Sequence, residues 1–176
     1  MQVRRSFRVA GALVTVLLAS PAAAQQKMFG SWTVGVLDDA AGLYAGTINE
    51  SGGLLGKYCF RNGEKCLWLM ANDVNCEDGS RYSALVNADT GAGTVTIRCV
   101  KIEGKPRYLF EEFDVIDSAV RGASWFGVAF PLKSGRFQVS RFAMNGAADA
   151  IAFMRRAAEA MVAPASQSQG TKDESF

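Results

Sequence analysis

The residues best equipped for chemistry in this chain are its carboxylates and cysteines. In the stretch "ALVNADTGAGTVTIRCV", Asp89-Thr90-Gly91 spells the tripeptide that presents a catalytic acid in aspartic peptidases. That chemistry needs two carboxylates about 3 Å apart sharing one proton, so that one serves as base while the other donates. The chain carries one Asp-Thr-Gly, and dimerisation would have to supply the second acid. The local context argues for another role. Asn87-Ala88 separates the preceding apolar run from the Asp, and the apolar-apolar-Gly segment that packs beneath such a loop is missing. "NADTGAG" is instead rich in turn-forming residues, and its flanks alternate as paired strands do. Asp89 is therefore expected at the tip of a hairpin.

Other acids are clustered without a pattern that binds metal. Glu111, Glu112, Asp114 and Asp117 lie in "EEFDVID". Carboxylate oxygens suit a hard cation, but the run lacks the spacing and the Gly of a calcium loop and reads as a solvated face. Glu77-Asp78-Gly79 reads the same way. The chain has no histidine. That excludes Ser-His-Asp and Cys-His nucleophile pairs, a His general base and His-ligated metal. An enzyme built here would have to work with carboxylates, Lys, Tyr or a cofactor. No catalytic residue, metal ligand or cofactor site is assigned.

Cys59, Cys66, Cys76 and Cys99 form an even set at gaps of seven, ten and twenty-three. These gaps contain no C-x-x-C and match no zinc ribbon, so disulfides are expected. Four cysteines allow three pairings. "KYCFRNGEKCLWLM" reads as two strands joined by Arg61-Asn62-Gly63-Glu64, which sets Cys59 opposite Cys66. Cys76 then joins Cys99 and staples the "NDVNCEDGS" loop to the next strand.

These residues need elements to hold them. "SWTVGVL", "LYAGTI", "LLGKYCF", "RYSALVN", "TVTIRCV", "RYLFEEFDV", "WFGVAFPL" and "RFQVSRFAM" are strand-like runs separated by short turns. Val95, Ile97 and Cys99 alternate with Thr94, Thr96 and Arg98, as in a half-buried strand. "IDSAVRGAS" is either a short helix or an irregular crossing. Trp68, Trp125 and Phe126 are read as core, with a recognition surface as the alternative. The period then changes to helical. "GAADAIAFMRRAAEAMV" follows Asn145, an expected N-cap, and Ile151, Met154, Ala158 and Met161 fall on one stripe that would cover the sheet. The fold class is mainly β: an antiparallel sandwich or curled sheet with one C-terminal α-helix packed on it.

The ends point to export. Arg4, Arg5 and Arg8 precede an apolar run and "PAAAQQ", whose Ala22-x-Ala24 suits signal peptidase. That run is roughly a dozen residues, short of the ~20 a membrane-spanning helix needs, so no transmembrane anchor is expected. Residues 1–24 read as a signal peptide, 25–162 as one β-rich domain and 163–176 as a disordered tail. Removing three arginines from 19 Lys+Arg leaves 16 against 17 Asp+Glu, a formal −1. Such a balance gives no electrostatic footprint for nucleic acid.

The opening Phe29, Gly30, Trp32 and Val34, with Met144, Gly146, Ala147 and Ala150 near the end, resembles the invasion-associated locus B family of proteobacterial periplasmic proteins. The ending "RFAMNGAADAI" is also similar to small periplasmic accessory proteins of type VI secretion. The family's Cys soon after the first Trp has no counterpart before Cys59. Either resemblance implies a non-enzymatic envelope factor and supplies no catalytic residue. The expected function is a periplasmic or secreted, disulfide-stabilised protein that binds an unknown protein or envelope component. The alternatives are a small inhibitor or immunity protein using the Cys76 loop as a plug, and a carboxylate-only hydrolase using Asp89.

Overall fold

The computed structural model describes residues 26–37, 41–60 and 65–162. The expected leader, tail and Arg61–Glu64 turn lie outside the described residues. Strands β1 (Lys27–Phe29), β2 (Trp32–Val36), β3 (Gly42–Ile48), β4 (Leu54–Phe60) and β5 (Cys66–Ala71) form a meander. After it come β6 (Arg81–Ala88), β7 (Gly91–Ile102), β8 (Lys105–Phe110), helix α1 (Phe113–Gly122), β9 (Trp125–Pro131), β10 (Phe137–Ala143) and helix α2 (Ala147–Val162). The ten strands make one antiparallel sheet in the order β1-β2-β3-β4-β5-β8-β7-β6-β9-β10. It is a single curled sheet, a half-barrel, rather than a sandwich.

Alternation decides which face turns inward. Trp32, Ala45, Leu55, Trp68, Met70, Ala84, Ile97, Cys99, Tyr108 and Phe126 are all fully buried inside the curl. Each large side chain buried there contributes about 1.5–3 kcal/mol. α2 closes the open side with Ala147, Ala150, Ile151 and Met154, while Met161 at its end is partly exposed. The helix begins at Ala147, so Gly146 rather than Asn145 precedes it. The Asn145 carbonyl accepts the Ser31 backbone N–H instead, at 3.1 Å.

That contact belongs to a seam. The Trp32 indole Nε1 donates to the Ala143 carbonyl at 3.1 Å, and the Phe29 ring packs against Phe153 of α2, 5.4 Å between centroids. The β1–β2 turn is thereby fastened to the β10–α2 junction. The cysteines bond as Cys59–Cys66 and Cys76–Cys99. Cys59 stands directly opposite Cys66 in the β4–β5 ladder. Loop-closure entropy alone makes the bridges worth about 2.4 and 3.4 kcal/mol, the longer loop gaining more.

The crossing after β8 is a helix, and Asp117 on it departs from the reading of the acidic run as a solvated face. Asp117 on α1 is buried, and its Oδ1 meets Lys57 Nζ of β4 at 2.5 Å and the Trp68 indole N–H at 3.2 Å. Arg121 reaches its Oδ2 at 3.1 Å. Glu111 takes Arg81 and Arg98, and Glu112 accepts the Thr96 backbone N–H at 2.7 Å. Glu112 and Asp117 therefore pin α1 to the sheet, while Glu111 and Asp114 are exposed. A helical period over residues 113–122, with Ile116, Asp117 and Val120 on the buried face, was the available signal. A charged residue on that face concealed it.

Candidate functional site

The feature most suited to binding lies where the half-barrel fails to close. Among the described residues β9 is the one strand that pairs with β10, so most of its other side is a free edge. Phe137 and Val139 point outward and are 65% and 66% exposed, whereas Ser140 and Phe142 point inward and are buried. In an antiparallel ladder alternate residues direct both backbone groups to the same side. The Ala143 carbonyl faces away from β9, toward Ser31 and Trp32. Val139 and Arg141 share its phase, so their N–H and C=O groups line the free edge. Among the described residues they have no main-chain partner there, and the Val139 carbonyl meets only its neighbour's Gln138 amide at 3.5 Å.

Across from this edge stands the β3–β4 turn. Asn49 builds it: its N–H donates to the Gly53 carbonyl at 2.8 Å and its side-chain Oδ1 accepts the Gly53 N–H at 2.7 Å. A groove of about 540 Å³ runs between Ile48–Ser51 on one wall and Trp125, Val139 and Arg141 on the other. It continues inward as a polar pocket of about 270 Å³, bounded by Asn49, Ser51, Asn72, Gln138 and Ser140. Asn49, Ser51 and Val139 line both parts, so the two form one slot.

Asn72, which lines the inner pocket, carries an unpaired group. Asn72 Oδ1 accepts the Val74 N–H at 3.1 Å, but its Nδ2 is shielded from solvent and has no partner. An orphaned buried donor costs about 1–3 kcal/mol. The loop that carries it is held firmly. The Tyr108 hydroxyl donates to the Val74 carbonyl at 3.0 Å, and Cys76–Cys99 anchors the next turn. Burial, and secondarily Tyr82, push the Tyr108 phenol up to about 12, so it remains a donor near neutral pH. The nominated plug "NDVNCEDGS" is tied further by Asp78, which accepts the Lys101 N–H, and its Asn72–Val74 segment forms a wall of the slot.

The Asp-Thr-Gly contributes to the same place indirectly. Asp89 and Thr90 form the two-residue turn between β6 and β7, with Ala88 paired to Gly91. The Asp89 carboxylate accepts the Ser124 hydroxyl at 2.5 Å and the Ser124 N–H at 3.0 Å. No second acid is among its hydrogen-bond partners. Ser124 precedes Trp125, whose ring carries the Arg141 guanidinium 4.3 Å above its centroid. Asp89 thus anchors the Trp125 wall. Trp125 is half-buried in that wall, while Trp68 and Phe126 are core.

The Ser124 hydroxyl, then its N–H, holds the Asp89 carboxyl below the ordinary carboxylate range. A depressed native value means that this tether stabilises the fold above the unfolded pKa and is lost as pH falls through the native one. In Ser124→Ala the Asp89 titration, followed by carboxyl-resolved NMR, should move up toward the ordinary range. An unchanged titration would show that the hydroxyl does not stabilise the charge.

Two other cavities are less suited. A cleft of about 290 Å³ between α1 and the β6–β7 hairpin is lined by small and apolar residues without a charge. A mainly apolar one of about 490 Å³ lies under the end of α2, where Lys27 already sits over the Phe153 ring at 4.2 Å. Among the described residues no group of three or more Asp, Glu or Cys could hold a metal ion. No described helix is long and apolar enough to cross a membrane.

Fold and slot define a class: a single half-barrel sheet, sealed by a C-terminal helix and stapled by two disulfides, with an open edge beside a groove. The sequence matches no protein-family profile and no curated protein. Among solved structures the chain is similar to the crystal structure of invasion associated protein B from Bartonella henselae. The TM-score is 0.57 at 9% identity, over 77% of this chain and 99% of that one. At that identity the likeness is one of fold.

Proposed function

We propose that the protein is a non-enzymatic, extracytoplasmic envelope or secreted protein that binds a partner protein through the slot beside β10. The observation that carries this reading is the free edge itself. A sheet edge with exposed apolar side chains is a liability that proteins ordinarily cover or charge, unless it is used. Two disulfides fit an oxidising compartment, and the half-barrel likeness to an invasion associated protein supports the same setting. Asp89 and Asp117 are both engaged in holding structure, which favours binding over carboxylate catalysis.

Mild cross-linking and capture of the tagged chain from its own envelope fraction tests the proposal when paired with slot variants. Wild type should retain a reproducible partner, and Trp125→Ala with Arg141→Glu should reduce its recovery at least tenfold, as for a hot spot. Recovery insensitive to both substitutions would remove the slot from the function. Substrate turnover that disappears in Asp89→Ala would replace binding with catalysis.

A further inference from the structure

We propose, building on the slot reading, that its occupant is one extended peptide segment of a partner, added as an eleventh strand to the free edge of β10. Three features of the slot specify this occupant. The edge offers unpaired N–H and C=O groups at Val139 and Arg141, the main-chain pattern that strand addition uses. The β3–β4 turn stands opposite, across a groove of about 540 Å³, so an added segment lies between two walls. The inner floor presents Asn72, Gln138 and Ser140, a polar lining, while the outer side presents Val139 and Phe137.

Side chains of an added strand alternate between these two sides. The ligand is therefore amphipathic in a specific sense. Its outward residues are apolar and lie against Phe137 and Val139. An inward residue carries a polar side chain that lies against the Asn72, Gln138 and Ser140 lining. An acidic residue lies toward Arg141, which has no salt bridge among the described residues.

The probe is a display library of random nine-residue peptides selected on the full chain. Enriched peptides should share alternating apolar positions and should protect the Val139 and Arg141 amides from hydrogen exchange. Val139→Pro removes one edge N–H without touching the β9 ladder, because that N–H points away from β9. It should weaken the enriched peptides at least tenfold with the thermal midpoint little changed, while Val139→Ala, which keeps the N–H, should weaken them far less. Asn72→Asp keeps the oxygen that holds Val74 and adds a negative charge to the inner lining, so selection on it should shift the inward residue toward a donor or a cation. Strand addition is overturned if no peptide is enriched, or if enriched peptides bind Val139→Pro as tightly as wild type. In either case the slot reading is judged separately, by whether the captured partner still depends on Trp125 and Arg141.

Discussion

Gly146→Ala is expected to destabilise the protein by about 4 kcal/mol or more, enough to unfold a marginal domain at physiological temperature. Gly146 sits at φ +85°, a region that costs a non-glycine residue about 1–3 kcal/mol. Steric overlap costs more than the dihedral. A Cβ there would lie 1.9 Å from the Phe29 carbonyl oxygen, a backbone atom that cannot swing aside. Across the same contact Gly30, at φ +55°, would place a Cβ 2.7 Å from the Asn145 carbonyl oxygen. The two glycines let two turns touch backbone to backbone, which is how the first strands are fastened to the last strand and helix. Gly52→Ala is the matched control. Gly52 has φ +79° with nothing within 4 Å of the added Cβ, so it isolates the conformational cost, about 1 kcal/mol. Urea midpoints of the two variants decide the matter. Equal losses would show that the seam relaxes around a methyl group.

Lys57→Met should cost about 3–5 kcal/mol, because it leaves the Asp117 carboxylate buried without its closest cation. Lys57 and Asp117 side chains are 5% and 11% exposed, and the ammonium also lies 4.8 Å from the Phe113 ring centroid. Trp68 Nε1 and Arg121 remain on the carboxylate in the variant, which places the expected loss toward the lower end, about 3 kcal/mol. Asp117→Leu should be comparably harmful, stranding an ammonium among aromatic rings. The double variant Lys57→Met/Asp117→Leu should recover most of the loss, since a buried pair exchanged for apolar groups is often close to neutral. A double-mutant cycle from urea unfolding reads this as a coupling of several kcal/mol. Additive losses would mean that α1 is held by its apolar face alone and the pair is incidental.

The parts of the fold legible in sequence were those with local causes. Period-two alternation marks Val95, Ile97 and Cys99 as one face of a strand whatever lies opposite, and those residues are buried. Helical spacing with Ile151 and Met154 on one stripe marks α2, and both are buried against the sheet. The turn chemistry around Asp89 needs only its own residues, and Cys59 opposite Cys66 needs only a hairpin register. The signals that misled were also local. A run of acids looks solvated until a cation arrives from elsewhere, and Lys57 is 60 residues from Asp117.

A mostly antiparallel chain with a helical end, the lack of histidine chemistry, and cysteines placed for disulfides all follow from composition or from neighbours a few residues apart. Three-dimensional packing was needed to show that the sheet curls as one half-barrel, that Asp89 serves as an anchor for Ser124, and that β10 has no second strand partner among the described residues. An edge is a property of strand order. Strand order is set by which distant residues meet, as when Ser31 and Trp32 bond the carbonyls of Asn145 and Ala143 more than a hundred positions away. No window of the chain contains both halves of that contact, so the slot beside β10 exists only after folding.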